Sequence, residues 1–443
     1  MGGRRRRLRI PEGEFRAEIT AMAHDGRGIA KVDGKATFVH GGLPGETVEF
    51  RYLQRRRNYD EGQTVSVLTA SPDRVEPRCA HYGVCGGCSL QHLAPATQVR
   101  IKQETLLDNL ARIGHVAPEE VLSPIVNATP WGYRRKARLG VKDVLRKGKV
   151  LVGFRERGSS LVADLENCHV LHPRVGGMLP ALRELVESLS IRSRLPQIEM
   201  AMDDEQCVLI LRILEPLTAE DERRLNAFQA DNDIVFYLQP GGPETVRPLS
   251  EEVGLLYRLP AHGLELGFLP GDFTQVNTEI NRKMVDRALS LLDLGVDDRV
   301  LDLFCGVGNF TLPIARLAAR AVGVEGDQGL VDRARANAAR NDVNNAEFFV
   351  ADLYAELQPA PWMRQSFDKA LLDPPRSGAL QILPLLPTLG VQRIVYVSCY
   401  PGTLARDAGE LVSRYGYRLL SAGVMDMFPH TAHVESIALF ERA

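Results

Sequence analysis

Between Phe15 and Leu68 apolar and polar residues alternate in short runs. Turn-forming pairs cut them: Asp25-Gly26, Asp33-Gly34, Gly41-Gly42 and Pro44-Gly45. A period of two, broken every few residues, predicts short strands half-buried on one core. Chained together they predict a small β-barrel of the OB type over residues 11–72. Residues 71–92 lose the pattern and read as loop, with Ser-Pro-Asp, Glu-Pro-Arg and Gly83, Gly86 and Gly87. From about residue 95 a mixed α/β pattern begins. After about residue 268 strand-like and helix-like stretches alternate to the end, which predicts a doubly wound, Rossmann-like parallel sheet. The expected fold class is therefore α/β in three domains: a barrel at 11–72, a central α/β domain at 73–268 and a doubly wound domain at 269–443.

In that last domain the chemistry-bearing residues fall at strand ends, where open α/β sheets bind ligands. RVLDLFCGVGNF, residues 299–310, is a strand running into a Gly-x-Gly turn, with a helix expected from about Thr311. The glycines let backbone approach a ligand closely. The next strand, Ala321–Val324, ends at Glu325, 19 residues after Gly306, a place suited to ribose hydroxyls. The third glycine of a dinucleotide fingerprint is replaced by Thr311, and Asp302 could hold a cationic amino group. With Asp352 after Val350-Ala351 for adenine, the set favours S-adenosylmethionine over NAD. A strand at Lys369–Leu372 ends in Asp373-Pro374-Pro375-Arg376, with Arg376 where amine methyltransferases carry a stacking aromatic. The next strand, IVYVSCYPGTLARD at 394–407, stops at Ser398 and presents Cys399 before Pro401 and Gly402 turn the chain into a helix. A lone cysteine is usually inert packing. One at a helix N-terminus can have its thiolate favoured. FPHTAHVES follows, with Glu435 opening the last strand and His430 and His433 close by.

Composition changes the picture in two places. Hydrophobic residues are 44% and charged residues 25%, ordinary for a globular protein. No apolar run approaches the ~18 residues that span a bilayer, so no membrane partner is expected. The Arg4–Arg7 run has no apolar segment after it and is not a signal peptide, so a cytoplasmic protein is expected; separately, a monomer is expected. Net charge is only −2, yet residues 1–150 hold 26 Lys and Arg against 16 Asp and Glu, and the remainder 28 against 40. A basic front suits a polyanion, and solvated surface charge is the alternative. Arg55, Arg56 and Arg57 beside Tyr52 and Tyr59, and the run Tyr133–Arg138, are the candidate nucleic-acid contacts. The seven cysteines form no disulfide framework. Cys79, Cys85 and Cys88 make C-x5-C-x2-C, with Cys168 distant, while Cys207, Cys305 and Cys399 are scattered.

Carbon 5 of uracil is a poor nucleophile towards a sulfonium methyl group. A thiolate adding to carbon 6 turns the ring into an enolate, and carbon 5 then reacts. A base removes the carbon 5 proton and the thiolate leaves. That chemistry needs a cysteine, a methyl donor and a general base in one pocket. SCYPGTLARD, FPHTAHVES, DPPRSG, LDLFCGVGNF and DFTQVN together resemble the RNA uridine-5-methyltransferases, in one order from about residue 15 to the end. The barrel resembles their TRAM domain. CAHYGVCGGC resembles the iron–sulfur loop of members acting on 23S ribosomal RNA.

The resemblance implies S-adenosylmethionine-dependent methylation of a uridine in 23S ribosomal RNA. It implies Cys399 as nucleophile and Glu435 as base. Gln275, Phe304, Asn309, Glu325, Asp352 and Asp373 match cofactor-binding positions. Cys79, Cys85, Cys88 and Cys168 match the ligands of a [4Fe–4S] cluster. Tyr400 and Gly402 depart from the Asn and Ala expected there, and DPPRSG departs from DPARAG. Structural zinc, with help from His81, His92 or His169, is the alternative for the cysteines. Cytosine-5 methylation and a non-catalytic RNA-binding factor are the alternatives for function.

Overall fold

The computed structural model describes residues 9–355 and 359–442; the Arg4–Arg7 run lies outside them. The chain divides into two compact units. One runs to Ile101 and takes in Glu156–Ser159 and Pro429–His433. The other comprises the remaining segments from Lys102 onward.

The first unit holds the barrel. Its strands are β1 (Phe15–Met22), β2 (Gly28–Val32), β3 (Lys35–His40), β4 (Thr47–Arg55) and β5 (Tyr59–Thr69), closed in the order β1-β2-β3-β5-β4. Alternate residues turn inward, so Ala17, Ile19, Ala30, Val39, Val48 and Phe50 fill the lumen. Gly62 is required for closure. A Cβ there would sit 2.4 Å from Phe50 Cδ2. Three register shifts between β4 and β5 supply the bend. Beyond the barrel, Arg74 reaches back to the buried Glu46 in a bidentate pair at 2.6 and 2.7 Å.

The first strand of the second unit is β6 (Glu120–Val121), followed by β7 (Lys136–Val144) and β8 (Lys149–Gly153). Then come β9 (Gln197–Met202), β10 (Cys207–Arg212), β11 (Val235–Gln239) and β12 (Arg247–Pro248). These last six strands make one sheet, ordered β12-β11-β10-β9-β7-β8. A hairpin, β13 (Leu255–Leu259) and β14 (Leu264–Phe268), leads to a long helix, Thr278–Leu292.

The final sheet contains β15 (Arg299–Leu303), β16 (Arg320–Glu325), β17 (Ala346–Val350), β18 (Lys369–Leu372), β19 (Arg393–Ser398), β20 (Tyr417–Met425) and β21 (Glu435–Arg442). With β6 at one edge its order is β17-β16-β15-β18-β19-β21-β20-β6. Strands β15 to β19 are parallel, as the alternation predicts. The last strand departs from that pattern. β21 inserts between β19 and β20 and is antiparallel to both. Ile280, Met284, Val285, Ala288 and Leu292 of the long helix share one core with residues of β15, β18, β19 and β21.

Candidate active site

Register alone brings the site together. Leu303 pairs with Val324 and with Leu372, and Leu372 pairs with Tyr396. The chain therefore leaves β15, β16, β18 and β19 along one edge, and Phe304, Glu325, Asp373 and Cys399 all follow there. β15 and β19 are two strand spacings apart, roughly 10 Å. Ser398 pairs with Ser436. Cys399 follows Ser398 and Glu435 precedes Ser436, so the two lie at the same end of neighbouring strands, and the Glu435 charge acts on the Cys399 thiol.

The Gly-x-Gly turn uses the backbone freedom of its glycines. Gly306 has φ +54° and Gly308 φ +94°, and Phe304 is held at φ +66° without being glycine. The helix after it starts at Thr311 but runs only to Ala315. Glu325 folds back on the turn: its Oε2 accepts from Gly306 N–H at 3.1 Å and its Oε1 from Gly326 N–H at 2.7 Å. Asp302 is fully buried and accepts from the Thr311 hydroxyl through Oδ2. Its Oδ1 has no hydrogen-bond partner among the described residues. Burial pushes Asp302 up to about 8, with Asp373 and Glu325 adding to the rise and Thr311 opposing it. Asp373 is pushed up to about 7 by burial.

Asn309 accepts from the Tyr257 hydroxyl at 3.1 Å and exchanges two bonds of 3.0 Å with Asn281. Asp352 is exposed and caps the turn to Tyr354 at 2.9 Å. Gln275 lies in a loop pinned from several sides. Lys136 Nζ donates to the carbonyls of Pro270, at 3.0 Å, and of Asp272. Arg333 pairs with the Asp272 carboxylate, and Arg135 N–H donates to Val276 O at 2.9 Å.

Cys399 departs from the expectation of a favoured thiolate. Burial first, then the charges of Glu435 and Asp373, push its thiol up to about 11; Arg376 opposes them without cancelling them. Glu435 is 3% exposed. Burial raises it well above the ordinary carboxyl range, Asp373 adds to the rise and Arg376 again opposes. His430, the alternative base, sits in the first unit. There its backbone N–H donates to Gln98 Oε1 at 2.8 Å.

Several residues of this site were not singled out by sequence reasoning. Tyr354 packs its ring 5.7 Å from Phe304 and donates its hydroxyl to Gly378 O at 2.9 Å. An aromatic two places after Asp352 was the available signal. Arg376 was noted only as a departure, yet it is the cation that both Cys399 and Glu435 sense. The basic run at Tyr133–Arg138, expected at RNA, is largely engaged within the protein. Arg135 pairs with Asp204 at 2.9 Å, Arg138 with Glu199 at 2.8 Å, and Lys136 holds the Gln275 loop. Cys207 and Cys305 are core residues, 0% and 3% exposed.

Cys79, Cys85 and Cys88 lie in the turn-rich loop of the first unit, and Cys168 belongs to the second. Arg157 ties the loop down, donating from its backbone to Val84 O at 2.8 Å and from its side chain to Cys88 O at 3.1 Å. Gly87 N–H donates to Cys85 Sγ at 3.4 Å. Among the described residues no group of three or more His, Cys, Asp or Glu side chains is gathered to hold a metal ion.

The family described as "tRNA (Uracil-5-)-methyltransferase" matches residues 262–443, and the "TRAM domain" matches 13–65. A protein of Alkalilimnicola ehrlichii named "23S rRNA (uracil(1939)-C(5))-methyltransferase RlmD" is 57% identical over 99% of both chains. One of the same name from Nitrosococcus oceani is 58% identical over 96% of both. The chain belongs to the RNA uracil-5-methyltransferase family. Within that family a solved structure, the Pyrococcus abyssi tRNA (uracil-54, C5)-methyltransferase in complex with S-adenosyl-L-homocysteine, shares the fold. Its TM-score is 0.73 at 24% identity, covering 96% of this chain and 99% of that one. The barrel is the family's TRAM domain, and the sheet β15–β21 lies within its methyltransferase region.

The donor set fits the family's methyl donor. S-Adenosylmethionine carries a sulfonium and an ammonium group. Asp302, Glu325 and Asp373 form a carboxylate cluster beside the Gly-x-Gly turn, and the partnerless Oδ1 of Asp302 leaves one buried acceptor open. Such a cluster favours a cation.

Proposed function

We propose that this protein transfers the methyl group of S-adenosylmethionine to carbon 5 of a uridine in 23S ribosomal RNA, the uridine 1939 named for its relatives. The observation that carries the reading is the Ser398–Ser436 pair, which brings Cys399, just after β19, and Glu435, at the start of β21, to the same end of neighbouring strands. When bound, the cofactor supplies a methyl group on positively charged sulfur. Gln275, Phe304, Asn309, Glu325, Asp352 and Asp373 hold it.

Cys399, having given its proton to solvent, adds to carbon 6; the C5–C6 electrons move onto the carbonyl oxygen at carbon 4. Carbon 5 of that enolate takes the methyl group, and the sulfur keeps the electron pair of the broken bond. Glu435, as carboxylate, removes the carbon 5 proton. The released pair rebuilds the C5–C6 double bond and Cys399 leaves as thiolate. A buried carboxylate has raised proton affinity, which suits this final step. Arg376 lowers the cost of having both groups ionised at once.

The functional division follows the domain boundaries read from sequence. The barrel at 11–72 binds RNA, 269–443 performs the chemistry, and 73–268 carries a [4Fe–4S] cluster held as thiolates by Cys79, Cys85, Cys88 and Cys168. The four-thiol donor set and the N–H donated to Cys85 Sγ suit such a cluster. The enzyme works as a cytoplasmic monomer. RNA carrying 5-fluorouridine at the target tests the mechanism, since fluorine cannot leave as a proton. The native enzyme should form a methylated adduct that survives denaturing electrophoresis. Glu435→Gln should accumulate the same adduct on ordinary RNA, and Cys399→Ala should form none. Methylation by Cys399→Ala would refute the covalent route.

A further inference from the structure

The residue beside the proposed nucleophile, Tyr400, leaves nearly half of its surface exposed (45%). Other tyrosines on this sheet, Tyr396 and Tyr417, are 0% and 1% exposed and spend their hydroxyls inside, on Asp407 at 2.6 Å and Val391 O at 2.7 Å. Burying an aromatic ring is worth more than leaving it in water, so an exposed ring in a rigid setting points to an outside contact.

The setting is rigid. Tyr400 stands at the start of the helix Pro401–Tyr415 in extended conformation, φ −145°. Its N–H donates to Ser398 Oγ at 3.2 Å, and its carbonyl accepts from that same hydroxyl at 3.1 Å. The carbonyl also accepts from Thr403, through Oγ1 at 3.1 Å and N–H at 3.2 Å. Thr403 Oγ1 in turn lies 3.2 Å from Arg376 O, tying this turn to the Asp373–Arg376 segment. One edge of the ring rests over Gly402. A Cβ at 402 would stand 3.0 Å from Tyr400 Cε1 and 3.6 Å from Cδ1 and Cζ. Gly402 has an ordinary helical position, so its lack of a side chain serves the ring and not the backbone.

We propose that Tyr400 is a base-stacking residue: its ring is a platform for an unpaired base of the RNA flanking the uridine that Cys399 attacks, and Gly402 sets the ring's orientation. The proposal rests on the function proposed above. Single-stranded RNA is held by stacking bases on aromatic faces, and the position next to the nucleophile is where a neighbour of the target base must pass. Removing one such stack weakens binding roughly 5- to 150-fold.

The test uses full-length enzyme and short RNAs with 2-aminopurine placed 5′ or 3′ of the target uridine. Wild type and Tyr400→Phe should bind alike and quench the fluorophore on one side. Tyr400→Leu keeps apolar bulk without a π face. It should lose about ten-fold in affinity and the quench. Gly402→Ala should weaken binding when Tyr400 is present and cost nothing further in the Tyr400→Leu background, where the 3.0 Å contact is gone. Binding by Tyr400→Leu at wild-type strength, or a loss confined to the rate at saturation, overturns the proposal. Absence of any adduct from wild type sinks the parent reading instead, and with it this one.

Discussion

Cys399 should behave as an unusually reluctant thiol in the free enzyme. Burial and the nearby carboxylates Glu435 and Asp373 push it up to about 11. At pH 8 an ordinary thiol of pKa ~8.5 is about 24% thiolate, whereas one near 11 is about 0.1%, a deficit of roughly 240-fold. The more basic thiolate is intrinsically more nucleophilic; with a Brønsted slope of ~0.4–0.5 it recovers roughly 10- to 18-fold. Alkylation of Cys399 by iodoacetamide should therefore run about 20-fold slower than that of a model thiol at pH 8. Its logarithm should climb with unit slope from pH 7 to about 10, where a model thiol has already levelled off. The sign for variants follows from the causes. Glu435→Gln removes a raising charge and should move the profile to lower pH; Arg376→Gln removes a lowering charge and should move it higher. Other cysteines react too, so the rate is read by mass spectrometry of the peptide containing Cys399. A plateau at or below pH 9 in the wild type, or no movement in Glu435→Gln, would refute the electrostatic account of the site.

Lys136→Met should leave Pro270 O and Asp272 O short of a donor and Glu199 without its ion-pair partner at 3.6 Å, at a cost of about 1–3 kcal/mol. Thermal unfolding checks this, and the salt dependence of RNA binding should not change. Replacing Arg55, Arg56 and Arg57 by Gln should lower the slope of log Kd against log salt by about two units if all three meet phosphate. An unchanged slope would make them solvated surface. Anaerobically purified protein should be brown and contain iron and sulfide in a ratio near one. Colourless protein with one equivalent of zinc would refute the cluster, and Cys79→Ser should abolish the colour.

Much of the site was legible because its signals are local. The Gly-x-Gly turn needs positive φ at Gly306 and Gly308, and only a few residue types tolerate that. Strand β18 falls where its apolar run stands and β19 stops at Ser398 as read, because a buried parallel strand needs an unbroken apolar stretch. The five barrel strands follow from period-two alternation and turn pairs in the same way. What only the tertiary structure decided depends on partners far along the chain. Nothing in Glu435–Arg442 says which strand it joins. Its antiparallel insertion beside β19, pairing Ser436 with Ser398, is what brings Glu435 to Cys399. Nothing in the basic run at 134–138 says that folding will surround Lys136 with the carbonyls of Pro270 and Asp272, more than 130 residues along the chain. Cys399 stands at a helix N-terminus, which by itself favours a thiolate. The opposite shift arises because desolvation and the charges of Glu435 and Asp373 act through space, and sequence distance carries no record of them.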